Sequence, residues 1–277
     1  MIEPGNAAVN PNRALWEKGD FTRIADTMRQ SGEEFVATLG IRPGMKVLDL
    51  GCGDGTTALP EAQLGADVLG VDIASNLVAA GNARATAAGL SNLRFQQGDA
   101  SNLDGLDDES FDLVVSLFGA MFARRPNDVA SEMVRVTRRG GRIVMGNWIP
   151  GDPTLVAQIL KISSAYTPPP PQGFISPMTW GDEDQVRQRF TAAGIARGDI
   201  AFERATWTFR MDGPPAGLLA IFRHWYGPTM NAFEAAAKDG READLQRELS
   251  DLFEAQNKGG ANTAVDATFL KVTVTKN

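Results

Sequence analysis

The stretch "VLDLGCGDGTTALP", residues 47–60, runs from an apolar segment through three alternating glycines into a helix-like segment. Gly51, Gly53 and Gly55 allow the backbone to turn sharply after a strand and to approach a ligand closely, because no Cβ stands in the way. A dinucleotide-binding loop has the spacing G-x-G-x-x-G, whereas this chain has Thr56 where the third glycine would stand. We therefore predict a strand, a ligand-binding loop and a helix.

Two acidic residues flank or occupy this loop. Asp49 stands at the end of the predicted strand, and Asp54 lies between the second and third glycines. Both negative charges disfavour a pyrophosphate and suit a cationic or amine-bearing ligand.

Strand and helix signals alternate from the loop to about residue 150. Short apolar runs predict strands at Lys46–Leu50, Asp67–Asp72, Leu93–Gln96, Phe111–Leu117 and Arg142–Trp148. Helical patterns lie at Phe21–Leu39, Thr56–Leu64, Ser75–Ala88 and Asn127–Thr137. Such alternation is typical of βαβ units, and it predicts a doubly wound α/β domain with ligands at the carboxyl ends of parallel strands.

The pattern changes after Trp148. Prolines at 167–177 predict an extended connector, followed by a helix at 182–193. We predict the last two strands at 199–211 and 266–276, with a mainly helical insertion at 214–257 between them. We divide the chain into an N-terminal helical lid (1–40), a ligand-binding core (41–150) and a C-terminal part (151–277) with cap insertions at about 151–181 and 213–262.

Acidic residues also end the next two strands. Asp72 stands about twenty residues after the glycine loop, which is the sequence spacing at which an acidic side chain can accept both hydroxyls of a ribose. Asp99 could accept an amine donor from an adenine edge, and Ala100 leaves room for the ring. A ribose, a purine and a positively charged amino-acid end together indicate S-adenosylmethionine.

Composition excludes several other classes. A net charge of −7 argues against nucleic acid as the main partner, and no apolar run approaches a membrane span. One cysteine and one histidine leave no Cys/His cluster for a metal. We expect a cytoplasmic protein with a small-molecule substrate, no metal, no nucleic-acid partner and no membrane partner; a homodimer stays open.

The sequence resembles class I S-adenosylmethionine-dependent methyltransferases, in the branch that includes the quinone-biosynthesis C-methyltransferases and many small-molecule methyltransferases. The resemblance covers about residues 15–150 and rests on "VLDLGCGDG" (47–55), "VLGVDIASNLVAAGNARA" (68–85), "FQQGDASNL" (95–103), "FDLVVSLFGAMFA" (111–123) and "EMVRVTRRGGRIVMGNW" (132–148). Arg139 departs from the proline common at that position. The resemblance implies a mostly parallel, seven-stranded Rossmann-like sheet with an antiparallel C-terminal strand and a helical cap.

The resemblance also implies a set of cofactor-binding residues. The methionine part would be held by Asp49, Gly51, Cys52, Gly53 and Gly55. The ribose side would contact Asp72 and Ile73, and the adenine would contact Asp99 and Ala100. Ser116 and Phe118 would lie beside the sulfonium and the substrate.

Methyl transfer from a sulfonium is an in-line displacement, so the protein must align the acceptor and exclude water. His224 is the candidate general base, because its ordinary pKa lies near neutrality. Side chains that could line a pocket for a flat or apolar acceptor are Trp16, Phe21, Met121, Trp148, Tyr166, Trp180, Trp225 and Tyr226. The sequence leaves the methylated atom open among C, N, O and S.

Two other functions fit parts of the pattern. A module that binds S-adenosylmethionine or S-adenosylhomocysteine without methyl transfer would need the same loop, since a fold alone does not guarantee activity. A nucleotide-dependent oxidoreductase would need the third glycine that Thr56 replaces. Methylated product would exclude the first of these, and binding of NADH would favour the second.

Overall fold

A single seven-stranded sheet organises the protein, for which the computed structural model describes residues 11–277. The strands are β1 (Lys46–Leu50), β2 (Asp67–Asp72), β3 (Leu93–Gln97), β4 (Phe111–Leu117), β5 (Thr137–Trp148), β6 (Ile200–Met211) and β7 (Thr263–Thr275). They lie in the order β3-β2-β1-β4-β5-β7-β6. Strands β1 to β5 pair in parallel, and β7 is antiparallel to both β5 and β6. The predicted mostly parallel sheet with an antiparallel C-terminal strand is confirmed.

Helices connect the strands and cover the sheet. They are α1 (Pro11–Glu17), α2 (Phe21–Asp26), α3 (Arg29–Val36), α4 (Ala58–Gln63), α5 (Ser75–Ala87), α6 (Pro126–Val136), α7 (Leu155–Ser164), α8 (Glu183–Ala192), α9 (Pro215–Trp225), α10 (Gly227–Lys238) and α11 (Glu242–Gln256). Among residues 11–277, no helix has the length and apolar character needed to cross a membrane.

Strand order creates the crevice that holds the candidate site. The central strands β1, β2 and β4 are buried runs of apolar residues, as expected for parallel strands covered on both faces. The chain winds from β1 outward to β3 and then returns to β4 on the other side of β1. Ligands bind at such a switch point, outside the carboxyl ends of the strands.

Three predicted elements differ from the structure by three residues or more. The helix expected at Phe21–Leu39 is divided into α2 and α3, because the carbonyl of Thr27 accepts a hydrogen bond from the backbone N–H of Arg210 in β6 (2.8 Å). Strand β5 begins at Thr137 rather than Arg142, since it continues through the two glycines before Arg142. Strand β7 begins at Thr263 rather than Asp266, because β6 pairs with it along the whole length of β6.

The predicted insertion at 214–257 forms three helices, α9 to α11, between β6 and β7. The N-terminal helices pack on this cap. Lys18 Nζ contacts Glu234 Oε2 of α10 (2.8 Å), and a Cβ on Gly227 would lie only 2.4 Å from the carbonyl oxygen of Leu15. The N-terminal helices therefore join the cap to the core.

Candidate active site

A cavity opens at the carboxyl ends of β1 to β4. The loops after these strands form one side, and α1, α2, residue 28 and β6 close the other. The lining residues are Asn12, Trp16, Phe21, Met28, Gly51, Cys52, Gly53, Asp54, Thr56, Thr57, Asp72, Ile73, Leu77, Asp99, Ala100, Leu117, Phe118, Gly119, Ala120, Ala123 and Trp207.

Glycines let the loops after β1 and β4 meet closely beneath the cavity. Gly51 has a φ of +66°, and a Cβ there would lie 2.5 Å from Cα of Gly119. Gly53 also has a positive φ, but a Cβ there would meet only the Phe21 ring at 4.0 Å. Gly51 is thus required by packing, whereas Gly53 keeps the floor of the cavity open.

Asp72, the last residue of β2, is oriented toward the glycine loop. Its Oδ2 accepts a hydrogen bond from the Gly53 N–H (2.8 Å), and its Oδ1 accepts one from the Ala74 N–H (2.9 Å). Burial raises the pKa of Asp72, and the backbone hydrogen bonds oppose that rise. Each carboxylate oxygen keeps lone-pair capacity for a further donor, so Asp72 fits a hydroxyl-bearing ligand.

Asp49 lies beneath the loop rather than on the cavity surface. It is 1% exposed, and Thr57 Oγ1 donates to its Oδ2 (2.5 Å). Burial raises the pKa of Asp49 to about 7. The neighbouring Glu61 is fully buried, and burial together with the Asp49 charge raises its pKa well above the usual value. This pair adds less negative charge than two ordinary carboxylates would.

Asp54 is compensated by arginines from two distant segments. Arg29 Nη1 donates to Asp54 Oδ1 (2.9 Å), and Arg84 Nη1 donates to the Asp54 carbonyl (2.6 Å). Arg84 Nη1 also stands 3.6 Å from Asp54 Oδ2. The negative charge that Asp54 brings into the loop is therefore compensated by two arginines.

The loop after β3 brings Asp99 and Ala100 to the cavity wall. Ser101 donates to Asp99 Oδ1 from both its backbone N–H (2.9 Å) and its hydroxyl (2.7 Å). This turn fixes the carboxylate beside the small side chain of Ala100.

Aromatic side chains form the other end of the cavity. Phe118 has a φ of +59° and stacks on Trp148, with ring centroids 3.7 Å apart. Trp207 of β6 meets Phe118 edge-on at 5.1 Å. Ser116 lies behind this wall, where its hydroxyl donates to the Leu50 carbonyl (2.7 Å) and joins β4 to β1.

The structure brings together only some of the aromatic residues expected at the acceptor pocket. Trp16 and Phe21 line the cavity, and Tyr226 packs behind both at 5.9 and 6.2 Å. Trp148 supports Phe118 from behind. Met121 is buried in the core.

Three further aromatic candidates lie away from the residues that line this cavity. Trp180 packs against Phe190 in the core. The Tyr166 hydroxyl donates to Glu248 (2.6 Å), and Trp225 is 41% exposed on the outer surface. The sequence does not show whether the side chains of these three residues face the cavity or another part of the protein.

His224 is not among the described residues that line the cavity. It is exposed on α9, and its Nδ1 lies 2.8 Å from the Ala220 carbonyl one turn earlier. The candidate base predicted from the sequence is therefore not positioned beside Asp72 or Phe118. Among the described residues, no group of three or more His, Cys, Asp or Glu side chains is arranged to hold a metal ion.

Sequence reasoning did not assign several lining residues to the site. Some follow the strand ends and could have been inferred from the loops alone: Thr56, Thr57, Leu77, Leu117, Gly119, Ala120 and Ala123. Asn12, Met28 and Trp207 come from distant segments, and no local pattern marks them. Trp207 reaches the cavity only because β7 places β6 in the same sheet.

The site combines a glycine loop, an oriented carboxylate and an aromatic wall. The first two can bind a nucleoside through its ribose hydroxyls, and the wall can hold an apolar molecule beside it. The residues present therefore fit S-adenosylmethionine, because Gly53 leaves space at the loop and Asp72 retains acceptor capacity.

Comparisons with known proteins agree with this geometry. Residues 48–145 match a family model described as a methyltransferase domain. The uncharacterized protein Rv1403c of Mycobacterium tuberculosis is 35% identical over 252 residues, covering 89% of this chain and 88% of that protein. A demethylmenaquinone methyltransferase of Paenarthrobacter aurescens is 31% identical over 195 residues, covering 61% of this chain and 73% of that protein.

A solved structure has the same fold. Phosphoethanolamine N-methyltransferase 2 of Haemonchus contortus, in complex with S-adenosyl-L-methionine, has a TM-score of 0.61 at 16% identity. The match covers 96% of this chain and 60% of that chain. The family expected from the sequence motifs is confirmed: this chain belongs to the class I S-adenosylmethionine-dependent methyltransferases, whose cofactor is S-adenosylmethionine.

Proposed function

We propose that the protein transfers a methyl group from S-adenosylmethionine to a small, flat organic acceptor by in-line displacement. The observation that carries this proposal is that one cavity contains both the Gly53–Asp72 contact and the aromatic wall of Phe118 and Trp207. A nucleoside at the first and an acceptor at the second would be neighbours within one cavity.

Asp72 would accept the ribose hydroxyls, and Asp99 with Ala100 would receive the adenine. The cofactor supplies a methyl group on a positively charged sulfur. Phe118 and Trp207 would hold the acceptor by apolar contact and exclude water from the reacting atoms. Trp16 and Phe21 would close the cavity from the N-terminal side.

No arginine, lysine or histidine occurs among the described residues that line the cavity. An acceptor without a negatively charged group is therefore favoured, and the aromatic wall favours an apolar one. The name of the Paenarthrobacter aurescens relative indicates a quinone-like acceptor for that protein. A hydroquinone such as 1,4-naphthohydroquinone is accordingly the first acceptor to test.

We also propose that the N-terminal segment, 1–40, acts as a lid over the core, 41–150, and that insertions in 151–277 complete the cap. Residues 1–10 of the lid lie outside the described residues. Support comes from α1, which presents Asn12 and Trp16 to the cavity while Glu17 Oε1 accepts hydrogen bonds from the Ser75 N–H (2.9 Å) and hydroxyl (2.7 Å) on the core.

Isothermal calorimetry with S-adenosylmethionine, S-adenosylhomocysteine and NADH tests the cofactor assignment. We expect saturable binding of the two sulfur compounds, no binding of NADH, and at least a tenfold loss in Asp72→Ala. Asp67→Ala, at the exposed opposite end of β2, is the matched control and should bind normally. Failure of the folded wild type to bind either sulfur compound would refute the proposal.

Transfer of a labelled methyl group to 1,4-naphthohydroquinone and related flat acceptors then tests catalysis. A methylated product identified by mass spectrometry supports the enzyme. Tight cofactor binding without product from any acceptor in the panel would favour the regulatory binding module instead.

A further inference from the structure

Arg29 connects the N-terminal helices to the glycine loop. It is the first residue of α3, and its Nη1 donates to Thr56 Oγ1 (2.6 Å) and to Asp54 Oδ1 (2.9 Å). Both acceptors line the cavity. The guanidinium also contacts Asp26 at 3.1 Å. Arg29 is therefore a bridge from the lid to two residues of the cavity wall.

The side chain of Thr56 is held from two directions. A Cβ on Gly32 would lie 2.7 Å from Thr56 Cγ2, so α3 packs directly against the methyl group. The hydroxyl oxygen accepts from Arg29, and a threonine hydroxyl has one hydrogen of its own to donate. Within residues 11–277, that hydroxyl donates no hydrogen bond to another side chain or to the backbone. Thr56 thus offers a donor with a fixed oxygen position at the cavity wall.

The charges around Thr56 differ from those in the rest of the cavity. Two arginines, Arg29 and Arg84, approach the one buried carboxylate of Asp54. Asp26 also contacts Arg29, but it is 65% exposed, so water screens its charge. At the other loops, Asp72 and Asp99 line the wall. The end of the cavity near Thr56 is therefore the end that tolerates an added negative charge.

We propose that the Thr56 hydroxyl, oriented by Arg29, donates a hydrogen bond to the carboxylate at the amino-acid end of the cofactor. The inference rests on the proposed function and adds a specificity residue and a positioning residue to it. Arg29 holds the hydroxyl oxygen and supplies positive charge behind it. Because Arg29 belongs to the lid, recognition of the carboxylate also depends on the lid being docked.

A pair of ligands that differ only in the carboxylate tests the proposal. S-adenosylmethionine and its decarboxylated form share the adenosine, the sulfonium and the amine. Thr56→Val preserves the shape of the side chain and removes the donor. By calorimetry we expect Thr56→Val and Arg29→Gln each to weaken binding of S-adenosylmethionine about tenfold. Binding of the decarboxylated ligand should stay within about twofold of wild type.

Arg23→Gln is the matched control, because it removes the same charge from α2, and the contacts of Arg23 are with Asp20 and Trp225. It should leave both affinities unchanged. Equal weakening of the two ligands in Thr56→Val or Arg29→Gln would mean a general structural role and would overturn the proposal. Unchanged binding of both would overturn it as well. If the wild type binds neither ligand, the proposed cofactor function fails first, which is a separate result.

Discussion

Gly51→Ala probes the contact between the loops after β1 and β4. The added Cβ would lie 2.5 Å from Cα and 2.7 Å from the carbonyl carbon of Gly119. These are backbone atoms, so no side-chain rotation relieves the contact, and overpacking of this kind costs about 1–3 kcal/mol. The left-handed backbone at φ +66° adds about 1–2 kcal/mol. We expect the free energy of unfolding to fall by about 2–5 kcal/mol.

Gly44→Ala separates the two contributions. Gly44 has a φ of +81°, and no heavy atom lies within 4 Å of a Cβ built there. This variant should lose only the backbone part, about 1–2 kcal/mol. Urea unfolding of both variants, followed by circular dichroism without ligand, measures the difference. Equal losses in the two variants would refute the argument from loop contact.

Four further outcomes are expected. Gly53→Ala should lose no more stability than alanine substitutions at other glycines with a positive φ. It should nevertheless bind S-adenosylmethionine at least tenfold more weakly by calorimetry, because the added Cβ enters the cavity. Burial raises the pKa of Glu61 well above the value of 4.5 that it has in the unfolded chain, so the folded protein holds a proton that the unfolded chain releases. The free energy of unfolding should therefore fall as the pH rises above about 4.5. Glu61→Gln should flatten this fall in urea unfolding at pH 5 and 8; an unchanged slope would contradict it. Hydrogen bonds from Ser75 lower the pKa of Glu17 to about 2, which shows that the charged carboxylate ties the N-terminal segment to the core. Glu17→Gln should weaken this tie and release bound S-adenosylhomocysteine several-fold faster in surface plasmon resonance. An unchanged release rate would argue against the lid. His224→Ala should keep wild-type cofactor affinity and methyl transfer, and a large loss of turnover would restore it as the base.

The core of the fold could be predicted because its signals are local. Each parallel strand is a short buried run, and Gly51 and Gly53 mark the turn after the first of them. The boundaries of α2, α3 and β7 were missed because they depend on pairing with β6, which lies far away in the sequence.

Local signals were less informative for the site. The sequence shows that Asp54 lies in the loop, but its charge is compensated by Arg29 and Arg84, which only the fold brings there. Trp207 reaches the cavity from a strand predicted without any ligand role. The assignments of Asp72 and Asp99 to the cofactor stay predictions, with a geometry that fits them.

The position of β7 has a consequence for synthesis on the ribosome. Among residues 11–277, strand β6, which carries Trp207, pairs only with β7, and β7 follows every other strand. Strands β1 to β5 can pair while the nascent chain is still growing, but β6 cannot join them before β7 has left the exit tunnel. The part of the cavity wall that Trp207 forms is therefore completed only after translation has passed residue 275.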